Sequence, residues 1–98
     1  MFARTSTWGG TPGAIEKWAA SVETVRPFVA GLEGNAGAFF LVDSAGRRAL
    51  TLTLWTTEAA ALASDASADQ SRARTVAATG VELVDRGRYE VLIGPTAP

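Results

Sequence analysis

Histidine and cysteine are both absent from the 98 residues of this chain. Without cysteine there is no disulfide, no thiolate nucleophile and no zinc–sulfur site. Without histidine there is no Ser-His-Asp or Cys-His relay, no imidazole base and no imidazole ligand for haem, zinc or non-haem iron. A basic excess is also missing. The formal net charge is −1 and the pI about 5.3, so nucleic acid is not expected as a partner. No apolar run approaches the roughly 18 residues of a membrane span, and no block of like charge suggests a membrane surface. Residues 1–8 (MFARTSTW) lack the long apolar core of a signal peptide. The expected setting is the cytoplasm, with no membrane partner.

What remains is a globular composition, 47% hydrophobic and 19% charged, in a length that suits one domain. A domain this small gains from oligomerisation. Its most informative stretch runs from Arg47 to Glu58. Side chains alternate there from Ala49 to Thr56. Leu50, Leu52 and Leu54 point one way; Thr51, Thr53 and Trp55 point the other. Neither set suits water, so the pattern predicts a central strand covered on both faces.

Upstream, Phe2 to Trp8 alternates as a first strand, with Phe2, Arg4, Ser6 and Trp8 on one face and Ala3, Thr5 and Thr7 on the other. Thr11-Pro12 opens a helix with a hydroxyl cap and a proline that needs no N–H. Its buried stripe is Ile15, Trp18, Val22, Val25 and Val29. Pro27 is expected to kink or loosen the last turns, and Gly31 or Gly34 to end the helix. Ala36 to Asp43 reads as a second strand, with Phe39 and Phe40 on opposite faces. Asp43 to Gly46 is a hairpin loop. Thr56 or Thr57 caps a further helix. A capping box at Ser67-Ala-Asp-Gln70 predicts a new helical segment from there to Thr79, stopped by Gly80. Arg72 and Arg74, two apart, splay. Gly87 suggests a bulge or turn, and Arg88 to Ile93 reads as the last strand, ended by Gly94-Pro95.

The order βαββαβ, with a split second crossover, predicts an α+β fold: a ferredoxin-like plait with a four-stranded antiparallel sheet in order 4-1-3-2 and the helices on one face. Residues 1–93 form the single domain; 94–98 form a tail. Two helices leave the other sheet face too apolar for water. A homodimer packed sheet to sheet about a two-fold axis is the simplest cover.

At this point the chain resembles the antibiotic-biosynthesis-monooxygenase (ABM) family of the dimeric α+β barrels. The resemblance rests on MFARTSTW, the Pro12-capped helix with its late Pro27, and Gly37-Ala-Phe-Phe-Leu-Val-Asp43. It rests further on Leu52-Thr-Leu-Trp-Thr-Thr-Glu58 and Arg88-Tyr-Glu-Val-Leu92, and most of all on Leu-Trp-x-x-Glu at the end of the third strand. Leu32-Glu-Gly-Asn35 departs from the Pro-Gly-Phe-like turn of many relatives. The resemblance implies a dimeric barrel with a cavity between helices and sheet in each subunit. It turns Trp55, Thr53 and Thr51 toward that cavity and the leucines toward the partner.

Several residues are then candidates for substrate binding, with no catalytic residue assigned. Trp55 offers a broad apolar face and one N–H donor; as a plain core tryptophan it would do neither. Arg4, a charge in a central strand, is expected either to pair with Glu90 on the last strand or to stabilise an anion in the cavity. Trp8 and Trp18 could wall the cavity or be core alone. Ser6, Thr51 and Thr53 offer hydroxyls. Tyr89, the one phenol, could donate to substrate or lie in the dimer interface. Asp65 and Asp69 are four apart, yet without a histidine or a further acid nearby they read as helix caps or a solvated face, and no metal site is expected. Two functions compete. One is a cofactor-independent monooxygenase acting on a small aromatic or polyketide-like substrate, which would need binding, desolvation and help with deprotonation rather than a cofactor. The other is a non-catalytic dimeric module for small-ligand binding or assembly, favoured by the lack of a visible base.

Overall fold

A computed structural model describes residues 1–94. Its elements are β1 (Phe2–Gly9), α1 (Pro12–Ala30), β2 (Asn35–Val42), β3 (Arg48–Trp55), α2 (Glu58–Ala63), α3 (Asp65–Thr79) and β4 (Glu82–Glu90). The strands form one antiparallel sheet in the order β2-β3-β1-β4. The α+β plait and its central pair, β1 and β3, are as expected. Pro95 to Pro98, most of the expected tail, lie outside the described residues.

The helix starts form where small hydroxyls cap them. Thr11 accepts from the amide of Ala14 and Thr57 from that of Ala60, which satisfies donors that a first helical turn leaves orphaned. Gly80 ends α3 at φ 80. The hairpin holds because Asp43 Oδ1 accepts from the amides of Arg47 and Arg48, at 3.0 and 3.2 Å.

Register sets the two faces of the sheet. Phe2, Arg4, Ser6 and Trp8 oppose Trp55, Thr53, Thr51 and Ala49, and this face meets the helices. Trp8, Ile15, Trp18, Ala49 and Val81 form the core cluster. Ala49, opposite Trp8, leaves room for its indole. Phe40 packs on Trp18 with ring centroids 6.3 Å apart. The opposite face carries Leu50, Leu52 and Leu54 beside Leu41, Phe39 and Gly37. Phe39 is 49% exposed, Leu41 47% and Tyr89 57%, so this face is a broad apolar surface.

The helix α1 runs through Pro27 to Ala30 and is capped by Gly31, one of the two expected stops. Four local expectations are corrected. β2 begins one residue early, at Asn35, whose side chain accepts from the amide of Gly37 and donates to the carbonyls of Gly37 and Leu54. Those bonds serve the backbone where the register shifts between Asn35 and Gly37. The Ser67 capping box is unused: α3 starts at Asp65, directly after Ser64, and Ser67 lies inside it. The last strand is Glu82–Glu90 rather than Arg88–Ile93, and Leu92 and Ile93 beyond it are 86% and 91% exposed. Gly87 does not interrupt this strand. It pairs with Thr5, and the Tyr89 ring occupies the space its side chain would need. The irregularity lies earlier, where Leu83 opposes Trp8 and Asp85 opposes Thr7, leaving Val84 as the extra residue.

Candidate functional site

Between the helices and the sheet lies a cavity of about 80 Å³. Its floor is the helix-facing side of β1 and β3: Arg4, Ser6, Trp8, Thr51, Thr53 and Trp55 all border it, and Trp18 borders it from α1. Period-two alternation in two paired strands brings these residues together. Tyr89 is the exception among the expected candidates. It projects from the opposite sheet face, over Gly87 and beside Ala3 in register, and does not border the cavity.

The two strand indoles are internally bonded. Trp55, 1% exposed, donates to Thr53 Oγ1 at 2.9 Å, and Trp8 donates to Thr51 Oγ1 at 3.2 Å. Thr53 Oγ1 donates in turn toward the Arg4 carbonyl at 3.5 Å.

Arg4 does not pair with Glu90. Its cross-strand neighbours are Thr53 and Arg88, whereas Glu90 opposes Phe2. Instead Arg4 reaches the junction of α2 and α3, donating to Ser64 Oγ at 2.6 Å and pairing with Asp65 Oδ1 at 2.8 Å. Ser64 Oγ in turn donates a hydrogen bond to the carbonyl of Ala61 at 2.7 Å. Burial pushes the Arg4 guanidinium below its ordinary pKa, with the Asp65 charge opposing the shift. Arginine starts so high that it stays charged at neutral pH.

The roof was not legible residue by residue. Ser64 comes from the junction of α2 and α3, and Ser67, Ser71 and Thr75 from α3, with Arg72 beside them; Ser21 comes from α1. The signal was present as hydroxyls spaced three, four and four from Ser64 onward, which places them on one helical face. A search for apolar stripes passes over such a face. Arg72 pairs with Asp69, whose carboxyl it holds below the usual carboxylate range. Asp65 and Asp69 thus serve arginines, and no group of three or more potential metal ligands occurs among the described residues.

A wider groove, about 460 Å³, runs between α1 and α3. Ser21, Val25, Phe28, Ser67, Ser71 and Thr75 border both it and the cavity. The groove between these helices therefore adjoins the cavity. Phe28, 54% exposed, stands in that groove. No described helix is long and apolar enough to cross a membrane.

No protein-family model matches the chain, and no curated protein matches its sequence. Solved structures do match its fold. A candidate antibiotic biosynthesis monooxygenase of Deinococcus radiodurans superposes with a TM-score of 0.79 at 11% identity, covering 100% of this chain and 99% of that one. The monooxygenase from the ActVA-Orf6 gene of Streptomyces coelicolor, solved in complex with nanaomycin D, has a TM-score of 0.71 at 15% identity, covering 99% and 91%. SnoaB of Streptomyces nogalater, a cofactor-independent oxygenase, has a TM-score of 0.63 at 18% identity, covering 95% and 92%. The chain shares with these monooxygenase structures its fold, an α+β ferredoxin-like plait.

Proposed function

We propose that the protein is a cytoplasmic, homodimeric, cofactor-independent monooxygenase of a small hydroxylated aromatic or polyketide-like substrate. The observation that carries this reading is the cavity's lining. Three indoles, a set of hydroxyls and two arginines surround it, with no histidine, cysteine or carboxylate on its wall. Indole faces suit a planar aromatic ring. Arg4 and Arg72 place positive charge beside a poorly solvated space, where it favours an ionised substrate hydroxyl over its neutral form. An electron-rich anion can then react with dioxygen at carbon. One oxygen atom stays as a new carbonyl; the other leaves as water with the hydrogen of the oxidised ring carbon and the proton given up by the substrate hydroxyl. The protein's part is to bind, desolvate and hold the anion.

The dimer reading is supported by the half-exposed Phe39, Leu41 and Tyr89 around the leucines of β3. A contiguous apolar face of this kind suits an isologous two-fold contact. Light scattering at micromolar concentration is expected to give a dimer, and Leu52→Glu a monomer; a monomeric parent protein would refute the dimer.

One observation favours a non-catalytic binding module instead. The cavity, about 80 Å³, is smaller than the roughly 300–1,000 Å³ of typical ligand pockets, so a ring must part α1 from α3 to enter. Oxygen uptake with a panel of hydroxylated aromatics separates the readings. Turnover by the parent protein, reduced in Trp55→Phe and Trp55→Ala, is expected. Ligand-induced thermal stabilisation without oxygen uptake would select the binding module.

A further inference from the structure

A second concavity, about 500 Å³, lies outside the cavity between the start of α3 and β4. Arg4, Arg72, Arg86 and Arg88 line it, with Asp65 and Asp69. These are four of only nine basic residues in a chain of net charge −1. They are arranged as two bridges. Asp65 lies 2.8 Å from Arg4 and 3.9 Å from Arg88. Asp69 contacts Arg72 and lies 3.2 Å from Arg86. Each aspartate therefore joins a mostly buried arginine to an exposed one. The inner side chains are 11% and 12% exposed, the outer ones 55% and 64%. The spacing follows from the elements: Arg86 and Arg88 share a face of β4, opposite Ser6 and Arg4, while Asp65 and Asp69 are neighbours along one face of α3.

Four positive and two negative charges leave a local surplus of 4 − 2 = +2. Each guanidinium has five N–H donors and each carboxylate about four acceptor positions, so donors also exceed acceptors. The arginines repel one another: Arg72 and Arg88 both act to lower the pKa of Arg4. An added anion relieves that repulsion, and the planar guanidinium fork is suited to gripping oxyanions two bonds at a time.

We propose that this cleft binds a dianionic oxyanion, a phosphate group or a small dicarboxylate, with Arg86 and Arg88 forming its exposed half and Arg4 and Arg72 its buried half. The charge of such a ligand matches the surplus. This site stands apart from the aromatic reading of the cavity. The two share the Arg4 and Arg72 side chains, so an anion in the cleft touches the cavity wall from behind.

The test is calorimetric titration at low ionic strength with inorganic phosphate and, separately, with malonate. Sodium chloride at matched ionic strength is the control. The comparison protein is Arg86→Gln/Arg88→Gln, both positions being exposed on an edge strand, with circular dichroism to verify its fold. One-to-one binding of phosphate, malonate or both is expected, with Kd below about 1 mM and at least about tenfold weaker in the double variant. Which of the two binds identifies the ligand's source. Absence of binding to both, equal binding by the double variant, or an equal response to chloride would each overturn the proposal.

Discussion

The indole N–H of Trp55 donates to Thr53 Oγ1, 2.9 Å away and two residues back on the same strand. This bond ties the most buried aromatic side chain of the sheet to its own strand. The same device recurs across strands, where Trp8 donates to Thr51 at 3.2 Å. The threonines on the helix-facing side of β3 thus have a structural duty. Hydroxyls that would suit a ligand already serve the indoles, so a ligand that binds Thr53 must join or replace that bond.

Thr53→Val removes the acceptor while keeping the branched shape. It leaves the Trp55 N–H unpaired at a site where Trp55 is 1% exposed, a loss of about 1–3 kcal/mol. For a domain of this size each kcal/mol lowers Tm by roughly 4–8 °C. Thr53→Ser retains the oxygen and is expected to stay much closer to the parent. Thermal melts of the two variants check this; equal Tm values would mean that the bond contributes nothing.

Gly34 and Gly46 both have positive φ, 78 and 69, yet alanine is expected to act differently at the two. A Cβ at Gly46 meets nothing within 4 Å, so Gly46→Ala incurs only backbone strain, about 1–2 kcal/mol. A Cβ at Gly34 would overlap the Ala60 methyl at the start of α2. The Gly34 carbonyl also accepts from the amide of Thr56 at 2.9 Å, so the segment has little freedom to retreat. Overpacking adds about 1–3 kcal/mol to the strain. Denaturant melts should rank Gly34→Ala well below Gly46→Ala, and the reverse order would refute the clash.

Much of this was legible in the sequence because two periodicities carried it. Alternation grouped Thr51, Thr53 and Trp55 in one strand and Arg4, Ser6 and Trp8 in the other, and the family resemblance turned the Thr51–Trp55 set toward the cavity. Spacing along α1 brought Trp18 over them. The misses share a physical origin, since each depended on a contact that no local pattern encodes. Ser67 had the sequence of a cap, but the chain was already helical from Asp65 and made it a wall residue. Gly87 looked like a break until the Tyr89 ring covered it. Arg4 was read against its expected strand neighbour, although its long side chain reaches Asp65 on a helix. The hydroxyl face of α3 escaped because buried helix faces are sought as apolar stripes.

Stability should fall on acidification below about pH 4. Backbone amides of Arg48 and Arg47 hold the Asp43 carboxyl below the usual carboxylate range, and the bond from Arg72 does the same for Asp69. A folded-state pKa below the unfolded one means that the unfolded chain binds protons first. The stabilising contribution is therefore fully present above the ordinary carboxylate pKa, about 4. It is lost as pH falls through the lower folded value. Melts between pH 2 and 6 should show this decline, shallower in Asp43→Asn and in Asp69→Asn. A slope unchanged by both substitutions would show that other carboxylates control it.

Ser71→Leu separates the cavity's role in binding from its role in folding. Ser71 lies on the hydroxyl face of α3, bordering both the cavity and the groove above it. A leucine there fills apolar space next to Val25 and Phe28, and leucine favours a helix more than serine does. The variant should match or exceed the parent's Tm while blocking the passage between α1 and α3. Ser71→Ala, which trims the wall instead, should keep or improve access. If the cavity is the aromatic site, Ser71→Leu abolishes ligand-induced changes in tryptophan fluorescence and Ser71→Ala preserves them. Wild-type ligand response in a well-folded Ser71→Leu protein would place the binding site elsewhere. Loss of response in Ser71→Ala as well would assign the effect to the hydroxyl itself, as a hydrogen-bonding group rather than a doorway.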